Sequence, residues 1–448
     1  MKNVFFVGIN GIGMSGLAKI MKFLGYNVSG SDIQSSYLTE EMKSLGIKIY
    51  SEHKEENIEG FDTLVVSTAI GKDNPEYKKA LKKDLLILKR GELLAKLFNK
   101  KVGIGVAGTH GKTTTSSMLA TVLVEKDPTI VVGGIVDAIK SNAKPGTGEY
   151  FVAEADESDN SFLYMRPKYS IITNIEADHL EKHGNLENIK KSFNLFMQQT
   201  EREAIVCLDN ENVKELIKYK DNIVTYSLLD FNADIYAKNI NIKEGKTSFD
   251  VYIKGGYVGE FVLSIPGTHN IYNSLPVIYL AKEFGLETEE IKNKIFNFKG
   301  AKRRYDILFD DEETKIIDDY AHHPTEIFAT LQGAKSIENK NITVIFQPHR
   351  YSRVKFLLEE FKGCFDMGDE FILMPIYSAG EKDEFGVSLD QLLKKIGHKN
   401  GRIIQNIDEL YKKLLAENKN RVFLFMGAGS ISSIAHGFSE KIEQLRNN

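Results

Sequence analysis

The sequence predicts an α/β protein of three domains, each built on a largely parallel sheet. Short apolar runs alternate with helix-like segments along almost the whole chain, as in parallel strands joined by crossover helices. A length of 448 residues allows about three domains of roughly 150 residues. Three apolar runs between Val102 and His179 end in polar residues, and ligands bind at the carboxyl ends of such strands. We therefore expect domains at residues 1–98, 99–301 and 302–448, with a site in the second.

Composition excludes several classes of protein. The formal net charge of -4 gives no basic footprint, which argues against a nucleic acid partner. The two cysteines, Cys207 and Cys364, are too few for a disulfide framework and lack metal-ligand spacing, so we expect both to be inert. Met1 leads directly into a strand pattern without a signal sequence, and no window reaches transmembrane length. These observations predict a cytoplasmic protein with no membrane span.

The N-terminal stretch resembles a dinucleotide-binding unit. Val4–Val7 reads as a buried strand, and Gly11, Gly13 and Gly16 then satisfy G-x-G-x-x-G at the opening of an amphipathic helix. Asp32 stands where a ribose-binding acid belongs. Taken alone, this stretch favours a Rossmann domain that binds NAD.

The other elements follow in chain order. "TLVVSTAI" at 63–70 predicts a strand, and "RGELLAKLFNK" from Arg90 predicts the helix that closes the first domain. A new strand begins at Val102. Between about 222 and 266 the pattern changes to β-branched and aromatic alternation around a Gly-Gly turn, which predicts an antiparallel hairpin added to the second sheet. A third α/β unit follows the boundary near 301.

The segment "GTHGKTTT" follows an apolar strand and precedes a helix. Backbone N–H groups of such a turn converge on phosphate oxygens, and the helix N-terminus adds partial positive charge. Lys112 would reach the terminal phosphates and Thr113 would offer a hydroxyl to Mg²⁺. The match to G-x-x-x-x-G-K-[ST] is incomplete, because Val106 takes the first glycine position and Gly108 lies inside the loop. An unoccupied glycine-rich turn is the alternative.

Acidic and histidine side chains end the next two strands. "YFVAEADESD" offers Glu154, Asp156 and Glu157 as oxygen ligands for Mg²⁺, although a solvated acidic turn would look the same. "NIEADH" ends in Asp178 and His179, and a lone histidine is often only a hydrogen-bonded structural residue. The position of both segments at strand ends favours a metal site beside the phosphate loop.

Seven motifs in one order then indicate a family. "GTHGKTTT", "EADESD", "NIEADH", "GTHNIYNS", "AKRRYD", "DDYAHHPTE" and "QPHRYSR" together resemble the Mur amide ligases, with matching blocks from Gly8 to about Ser430. The resemblance implies a Rossmann-like N-terminal domain, a central P-loop ATPase-like domain with the hairpin, and a Rossmann-like C-terminal domain. It also implies that ATP and Mg²⁺ drive amide formation between the lactyl carboxylate of UDP-N-acetylmuramate and L-alanine, through an acyl phosphate.

The resemblance assigns the nucleotide and metal residues. It implies that the ATP phosphates bind at Gly108, Thr109, His110, Gly111, Lys112, Thr113 and Thr114, and the metals at Thr113, Glu154 and His179. His269, Asn270 and Asn273 match an adenine-side segment, although Asn270 could equally cap the following helix. Arg303 or Arg304 should approach the γ-phosphate, and Asp319 should lie near the ribose.

The resemblance also assigns the two substrates. The UDP-sugar contacts are Gly8, Asn10, Gly11, Ile12 and Gly13, with Asp32 and Ser67 as weaker candidates that could simply satisfy local backbone. The amino-acid pocket comprises Tyr320, His322, His349, Arg350 and Arg353. The two arginines share a face if "HRYSR" begins a helix, and a guanidinium can bind a carboxylate through two hydrogen bonds; surface arginines are the alternative.

Three other functions remain open at this point. A recycling ligase that joins the same UDP-sugar to a tripeptide shares most motifs, an NAD-dependent oxidoreductase leaves "GTHGKTTT" without a role, and a non-catalytic nucleotide sensor does not need the metal residues. The sequence leaves a monomer and a homodimer equally open. Sister ligases carry a carbamylated lysine at the position that aligns with Phe193, so we expect no carbamate, unless the alignment shifts to Lys190 or Lys191.

Overall fold

The computed structural model describes residues 1–34, 38–243 and 245–447, and the chain divides into two compact units. The first unit comprises Met1–Glu176, Glu187–Tyr236 and Pro276–Glu287. The second comprises Ala177–Leu186, Ala237–Leu275 and Thr288–Asn448. Parallel sheets flanked by helices recur along the chain, which confirms the predicted α/β class.

The first unit begins with a five-stranded parallel sheet in the order β3-β2-β1-β4-β5. Its strands are β1 Asn3–Val7, β2 Asn27–Ser31, β3 Lys48–Tyr50, β4 Thr63–Val66 and β5 Leu86–Lys89. Its helices are α1 Ile12–Phe23, α2 Thr39–Ser44, α3 Pro75–Lys82 and α4 Arg90–Phe98. Strand order reverses beside β1, so the glycine turn after β1 lies at the position where such sheets bind nucleotides.

The apolar runs of this sheet are covered on both faces. Val4–Val7 is fully buried, as a strand between two helix layers requires. The predicted strand at 63–70 is shorter in the structure, because β4 ends at Val66 and the small polar residues after it form a turn. The predicted helix from Arg90 is confirmed as α4.

A second, mixed sheet follows, and its strands as far as Tyr236 belong to the first unit. Its strands are β6 Val102–Ala107, β7 Thr129–Val136, β8 Ser141–Lys144, β9 Tyr150–Glu154, β10 Tyr169–Ile172, β11 Glu203–Cys207, β12 Ile223–Ser227 and β13 Ile235–Lys243. They are neighbours in the order β13-β12-β11-β10-β6-β9-β7-β8. The helices of this part of the chain are α5 Lys112–Val122, α6 Leu180–His183, α7 Leu186–Gln198 and α8 Glu211–Lys214. Since β6 pairs in parallel with both β9 and β10, the ends of these three strands meet at one edge.

The predicted antiparallel hairpin belongs to the second unit. It consists of β14 Lys246–Ile253 and β15 Gly256–Leu263. Lys254 and Gly255 join the strands and both have positive φ, of 49° and 79°, as two-residue hairpin turns require. The helices α9 Thr268–Glu283 and α10 Thr288–Asn297 follow.

The third sheet lies wholly in the second unit, in the order β16-β17-β21-β18-β19-β20. Its strands are β16 Asp306–Asp310, β17 Thr314–Asp319, β18 Asn341–Phe346, β19 Glu370–Leu373, β20 Gly401–Ile403 and β21 Arg421–Met426. Its helices are α11 Pro324–Ile337, α12 Tyr351–Phe356, α13 Leu389–Ile396, α14 Ile407–Ala416 and α15 Ile431–Asn447. Only β16 runs antiparallel to its neighbour, and apolar clusters cover both faces.

Two negative expectations can be compared with the structure. Among the described residues, no helix is both long and apolar enough to cross a membrane. Cys207 and Cys364 are buried, and burial raises the pKa of both thiols, so neither is a reactive thiolate at neutral pH.

Candidate active site

The segment 108–111 forms a tight loop between β6 and α5 that the end of β10 holds in place. Gly108 has a φ of 143°, and a Cβ there would lie only 1.9 Å from Oγ1 of Thr173. The His110 N–H donates to Oδ1 of Asn174 at 2.9 Å, and the Thr173 hydroxyl donates to the His110 carbonyl at 2.6 Å. Gly111, with a φ of 83°, is the N-cap of α5. The loop is therefore preformed, as anion binding by backbone N–H groups requires.

Lys112 lies within this loop and is paired with the acidic segment after β9. Its ammonium donates to the carbonyls of Gly108 and Thr109 and to Oε1 of Glu157, the last at 2.8 Å. Burial acts to lower the pKa of Lys112, but the Glu157 carboxylate outweighs burial and holds this pKa above its usual value. Lys112 therefore carries a full positive charge at neutral pH.

Glu154 and Thr113 lie together, as expected for two ligands of one metal. The Thr113 hydroxyl is 3.2 Å from Oε2 of Glu154. The other carboxylate oxygen accepts the Ser116 hydroxyl at 3.2 Å and the Gly133 N–H at 2.5 Å. A carboxylate and a hydroxyl beside a phosphate loop are the oxygen ligands that Mg²⁺ prefers. The donor set therefore fits the expected metal.

The glycine turn after β1 is built around Asp32. The N–H groups of Gly8 and Ile9 donate to the Ser31 carbonyl at 2.8 and 3.1 Å. Oδ2 of Asp32 accepts the Asn10 N–H at 2.9 Å. Asp32 thus supports the turn backbone, which is the local role that the sequence left open for it.

The other residues expected at the UDP-sugar site surround the same turn. Gly11 is the N-cap of α1, and Ile12 and Gly13 open the helix. A Cβ on Gly8 would lie 3.0 Å from Cβ of Ser67, and the Ser67 hydroxyl accepts the Ala69 N–H at 3.3 Å. The turn therefore brings together every residue predicted for this substrate, while Ser67 also satisfies local backbone.

The third glycine of the N-terminal motif has a packing role. A Cβ on Gly16 would lie 3.0 Å from Cβ of Ala143 in β8. The buried ammonium of Lys19, on the same helix, donates to Ser141 and Asn142 of that strand at 2.6 and 2.9 Å. Strand β8 therefore packs closely on α1, an arrangement that the dinucleotide-binding interpretation does not require.

In the second unit, the Arg353 side chain contacts both Asp178 and His349. Its guanidinium bridges both carboxylate oxygens of Asp178, at 3.2 and 3.3 Å. It also lies 3.0 Å from Nδ1 of His349. Burial would raise the pKa of Asp178, but the charge of Arg353 holds it far below its usual range. Asp178 is therefore ionised at neutral pH.

Two neutral histidines with different hydrogen bonds lie beside this pair, with ring centroids 5.9 Å apart. Burial, followed by the charge of Arg353, lowers the pKa of both His322 and His349 to about 3. Arg353 is a donor, so Nδ1 of His349 accepts and Nε2 carries the proton. Nδ1 of His322 lies 2.9 Å from the Tyr320 carbonyl, so this nitrogen carries the proton and Nε2 keeps its lone pair.

Arg350 differs from its expected placement. It is the N-cap of α12 with a φ of 68°, so it lies outside the helix that carries Arg353. Nη1 of Arg350 is 3.6 Å from Oε1 of Glu381. The two guanidiniums therefore have different carboxylate partners, and the predicted shared helical face does not form.

Arg303 and Arg304 flank Tyr320. Their guanidinium carbons lie 4.8 and 5.1 Å from the centre of its ring. Nε of Arg303 is 3.5 Å from the buried Asp318, and Nη1 of Arg304 is 3.5 Å from Glu326. Both arginines thus belong to the same cluster as the predicted amino-acid residues.

Asp319 ends β17 close to that cluster. It accepts the N–H groups of Tyr305 and Ala321 at 2.7 and 2.8 Å. Burial raises its pKa to about 6 despite the charge of Arg304. These bonds orient the carboxyl group within the fold.

The segment expected near adenine begins α9. The Asn270 amide donates to the Pro266 carbonyl at 2.6 Å, and its oxygen accepts the Asn273 amide at 3.1 Å. Burial and the charge of Arg304 lower the pKa of His269 to about 4, so this side chain is neutral. Asn270 therefore has a local structural role at the start of the helix.

His179 is the N-cap of the short helix α6 in the left-handed conformation, with a φ of 52°. Its Nε2 is 3.7 Å from Oδ2 of Asp178. Non-glycine residues adopt this conformation rarely, and such residues concentrate at functional sites. The backbone conformation therefore marks His179 as a candidate functional residue.

Sequence reasoning missed several residues of this architecture. The sequence indicates Arg90 only as the start of a helix, and no motif distinguishes Lys19 or Asn142. The carboxylate of Glu157 pairs with Lys112, whereas the sequence offered it as a metal ligand. A cation at the first position of an amphipathic helix is the local signal for Arg90.

Three family models match consecutive parts of the chain. They are described as the Mur ligase family catalytic domain, over residues 3–102, the Mur ligase middle domain, over 106–281, and the Mur ligase glutamate ligase domain, over 303–429.

Full-length relatives also match. A UDP-N-acetylmuramate–L-alanine ligase of Fusobacterium nucleatum is 56% identical, with 99% of this chain and 98% of that protein covered. The crystal structure of a UDP-N-acetylmuramate-alanine ligase from Thermotoga maritima is 33% identical, with a TM-score of 0.84 and coverage of 99% and 100%. A murein peptide ligase from Psychrobacter arcticus shares the fold, at 22% identity, a TM-score of 0.72 and 98% coverage of both chains.

Proposed function

The chain belongs to the Mur ligase family, and from this premise we propose that it joins L-alanine to the lactyl carboxylate of UDP-N-acetylmuramate at the expense of ATP. The observation that carries the proposal is the 56% identity, over 99% of the chain, to a ligase named for this reaction. The reaction supplies a precursor of peptidoglycan.

The chemistry proceeds in two displacements. A lactyl carboxylate oxygen attacks the γ-phosphorus of ATP, the bond to the bridging oxygen breaks, and ADP leaves. The amine of L-alanine then attacks the carbonyl carbon of the acyl phosphate, phosphate leaves, and the nitrogen loses a proton to solvent. Such transfers depend on positioning and on neutralising charge at the transferring phosphoryl group.

The phosphate loop supports ATP as the phosphoryl donor. The preformed loop at 108–111 offers backbone N–H groups, and Lys112 supplies a full charge. Thr113 and Glu154, with their oxygens 3.2 Å apart, would hold one Mg²⁺, and His179 would hold a second. Bound Mg²⁺ would neutralise charge on the phosphates. The reaction class does not need nicotinamide, and we assign the glycine turn at 8–13 to the UDP-sugar diphosphate.

The amino-acid pocket is proposed at the two neutral histidines. Nε2–H of His349 is a donor suited to the carboxylate of L-alanine, whereas the Nε2 lone pair of His322 is an acceptor suited to its amine. Arg353 is engaged by Asp178, so we propose that it fixes the His349 tautomer and adds positive charge, while Arg350 lies on the more exposed side.

We assign these roles to three functional domains. Residues 1–98 would bind the UDP-sugar, 99–301 would bind ATP, and 302–448 would bind the amino acid. ATP and a nucleotide-linked precursor are intracellular metabolites, so the cytoplasm is the proposed location. The choice between a monomer and a homodimer stays a prediction for solution measurement.

The test compares acceptors on the purified protein. Phosphate release is measured with UDP-N-acetylmuramate, ATP and Mg²⁺, in the presence of L-alanine, glycine, L-serine or the tripeptide L-alanyl-γ-D-glutamyl-meso-diaminopimelate. We expect release with L-alanine to exceed release with the tripeptide by at least about a hundredfold, the discrimination available to a site built around one small amino acid. A preference for the tripeptide would favour the recycling ligase, and release without any UDP-sugar would refute both.

A further inference from the structure

Arg90, at the start of α4, lies against the glycine turn after β1. A Cβ on Gly13 would be 3.0 Å from Cδ of Arg90 and 3.3 Å from its Nη1. The guanidinium therefore extends across the first turn of α1, and its side chain is only 18% exposed. Arg90 thus places a fixed positive charge at the turn where the UDP-sugar diphosphate is proposed to bind.

The other side of the same guanidinium is held by the acidic segment after β9. Nη2 of Arg90 is 3.0 Å from Oδ2 of Asp156 and 3.8 Å from Oδ2 of Asp159. This ion pair orients the arginine side chain.

Close packing leaves this part of α4 little freedom to move. A Cβ on Gly91, the next residue, would lie 2.2 Å from Cβ of Ser161. Helix α4 therefore approaches the segment that follows Asp156 more closely than any side chain at 91 would allow. The backbone that carries Arg90 is thus positioned by contacts independent of the ion pair.

Two adjacent acids consequently hold two cations. Asp156 pairs with Arg90 at the glycine turn, and Glu157 pairs with Lys112 in the phosphate loop at 2.8 Å. A cation that is already desolvated and oriented loses little conformational entropy when it binds a phosphate. Each cation is thus paired with an acid of the same segment and lies beside a glycine-containing turn.

We propose that Arg90 is a further substrate-binding residue, whose guanidinium binds the diphosphate of the UDP-sugar at the Gly13 end of the turn. The proposal rests on the function proposed above and adds the cation that the glycine turn itself lacks. Arginine suits this position because its planar fork can hydrogen-bond a phosphate while another edge stays paired with Asp156.

The test is titration calorimetry with UDP-N-acetylmuramate and with UDP, on the full chain without ATP or L-alanine. Arg90→Ala should bind both ligands about 10- to 100-fold more weakly than the wild-type protein, as expected for a lost charge-assisted hydrogen bond. Arg90→Lys, which keeps the charge but loses the fork, should lie between them. Arg166→Ala is the matched control, because the Arg166 guanidinium donates to the carbonyls of Leu163 and Met165.

Asp156→Asn separates binding from a purely structural role. If Arg90 merely anchored the acidic segment, Asp156→Asn would weaken UDP binding as much as Arg90→Ala does. The proposal predicts that Asp156→Asn weakens UDP binding far less than Arg90→Ala does, since the amide oxygen left by the substitution can still accept from Arg90 and the guanidinium stays at the turn. Thermal unfolding verifies that each variant is folded. If Arg90→Ala is not folded, the UDP affinity of Arg90→Lys is compared with that of the wild-type protein instead.

The outcomes distinguish a failure of the proposed function from a failure of the role proposed for Arg90. Wild-type protein that fails to bind either ligand would refute the proposed function. Wild-type binding with equal affinity in Arg90→Ala would refute the role of Arg90 alone. A loss confined to UDP-N-acetylmuramate, with UDP unaffected, would move the contact from the diphosphate to the sugar acid and overturn the assignment.

Discussion

Lys112→Ala tests the phosphate loop most severely. The Lys112 side chain is only 17% exposed, so its charge acts in a medium of lower effective dielectric than water. One unit charge about 4 Å from a phosphoryl oxygen is worth about 4 kcal/mol at an effective dielectric near 20. Loss of most of this stabilisation in the transition state should cost at least about 3 kcal/mol in barrier, or two or more orders of magnitude in turnover.

The same substitution removes the partner of Glu157, which is 5% exposed. Breaking a buried ion pair on one side costs about 3–5 kcal/mol of folding stability, so lost activity could reflect unfolding alone. The double variant Lys112→Ala, Glu157→Gln also removes the carboxylate charge that the single substitution would leave buried. It should regain most of the melting temperature but none of the activity.

The assay is steady-state phosphate release at saturating substrates, with melting temperatures and UDP-N-acetylmuramate affinity measured in parallel. We expect UDP-sugar affinity to change little in either variant, because Lys112 lies in the loop assigned to ATP. Turnover within about tenfold of wild type in the folded double variant would refute the phosphate-loop assignment.

Three further predictions concern other parts of the site. Arg350→Ala and Arg353→Ala should raise the Michaelis constant for L-alanine much more than that for ATP. The effect should be larger at Arg353, because Asp178 and His349 each lose a partner there. Equal effects on both constants would place these arginines outside the pocket. Activity of degassed enzyme should not respond to bicarbonate, because Phe193 is fully buried against Phe162 and Lys190 is paired with Glu187 and Glu215. If bicarbonate restored activity, and this rescue disappeared in Lys190→Ala or Lys191→Ala, a carbamate would be present. Burial lowers the pKa of His349 to about 3, so the unfolded chain binds more protons than the native one between about pH 3 and 6.5, and the free energy of unfolding falls on acidification. Urea unfolding should show that His349→Gln reduces the dependence of this free energy on pH by about 1 kcal/mol per pH unit between pH 6 and 4. An unchanged dependence would mean that the native histidine is readily protonated.

Local signals predicted the elements that position the site. The buried run Val4–Val7, the helix from Arg90 and the strand from Val102 were all predicted from apolar periodicity, since each pattern is contained in its own segment. The hairpin was predicted from alternation and glycine, because turn chemistry is also local. These signals did not predict the order of the strands within each sheet. They predicted only that parallel strands alternate with helices.

The partners of charged side chains could not be predicted in the same way. Arg90 and Asp156 are 66 positions apart, and Arg353 and Asp178 are 175 apart, so packing between distant segments decides both pairs. The sequence offered Asp156 and Glu157 as metal ligands because an acidic turn at a strand end is compatible with either role. Only the structure distinguishes a carboxylate that holds a cationic side chain from one that lies beside Thr113.

Backbone conformation caused the difference at Arg350. Spacing placed Arg350 and Arg353 on one helical face, which assumes that the helix begins before Arg350. The helix begins at Tyr351, and the φ of 68° at Arg350 turns its side chain toward Glu381. Periodicity cannot predict such a residue, because the spacing of apolar and polar residues is the same whether the helix begins at residue 350 or at residue 351.

The most direct test of the central claim is an isotope experiment on the complete reaction. UDP-N-acetylmuramate labelled with ¹⁸O in both lactyl carboxylate oxygens is incubated with the enzyme, ATP, Mg²⁺ and L-alanine, and product and phosphate are analysed by mass spectrometry. Transfer through an acyl phosphate predicts that the L-alanyl product retains one ¹⁸O in its amide carbonyl. Each phosphate released should carry the other ¹⁸O. Unlabelled phosphate, or the absence of an alanyl product, would contradict the account.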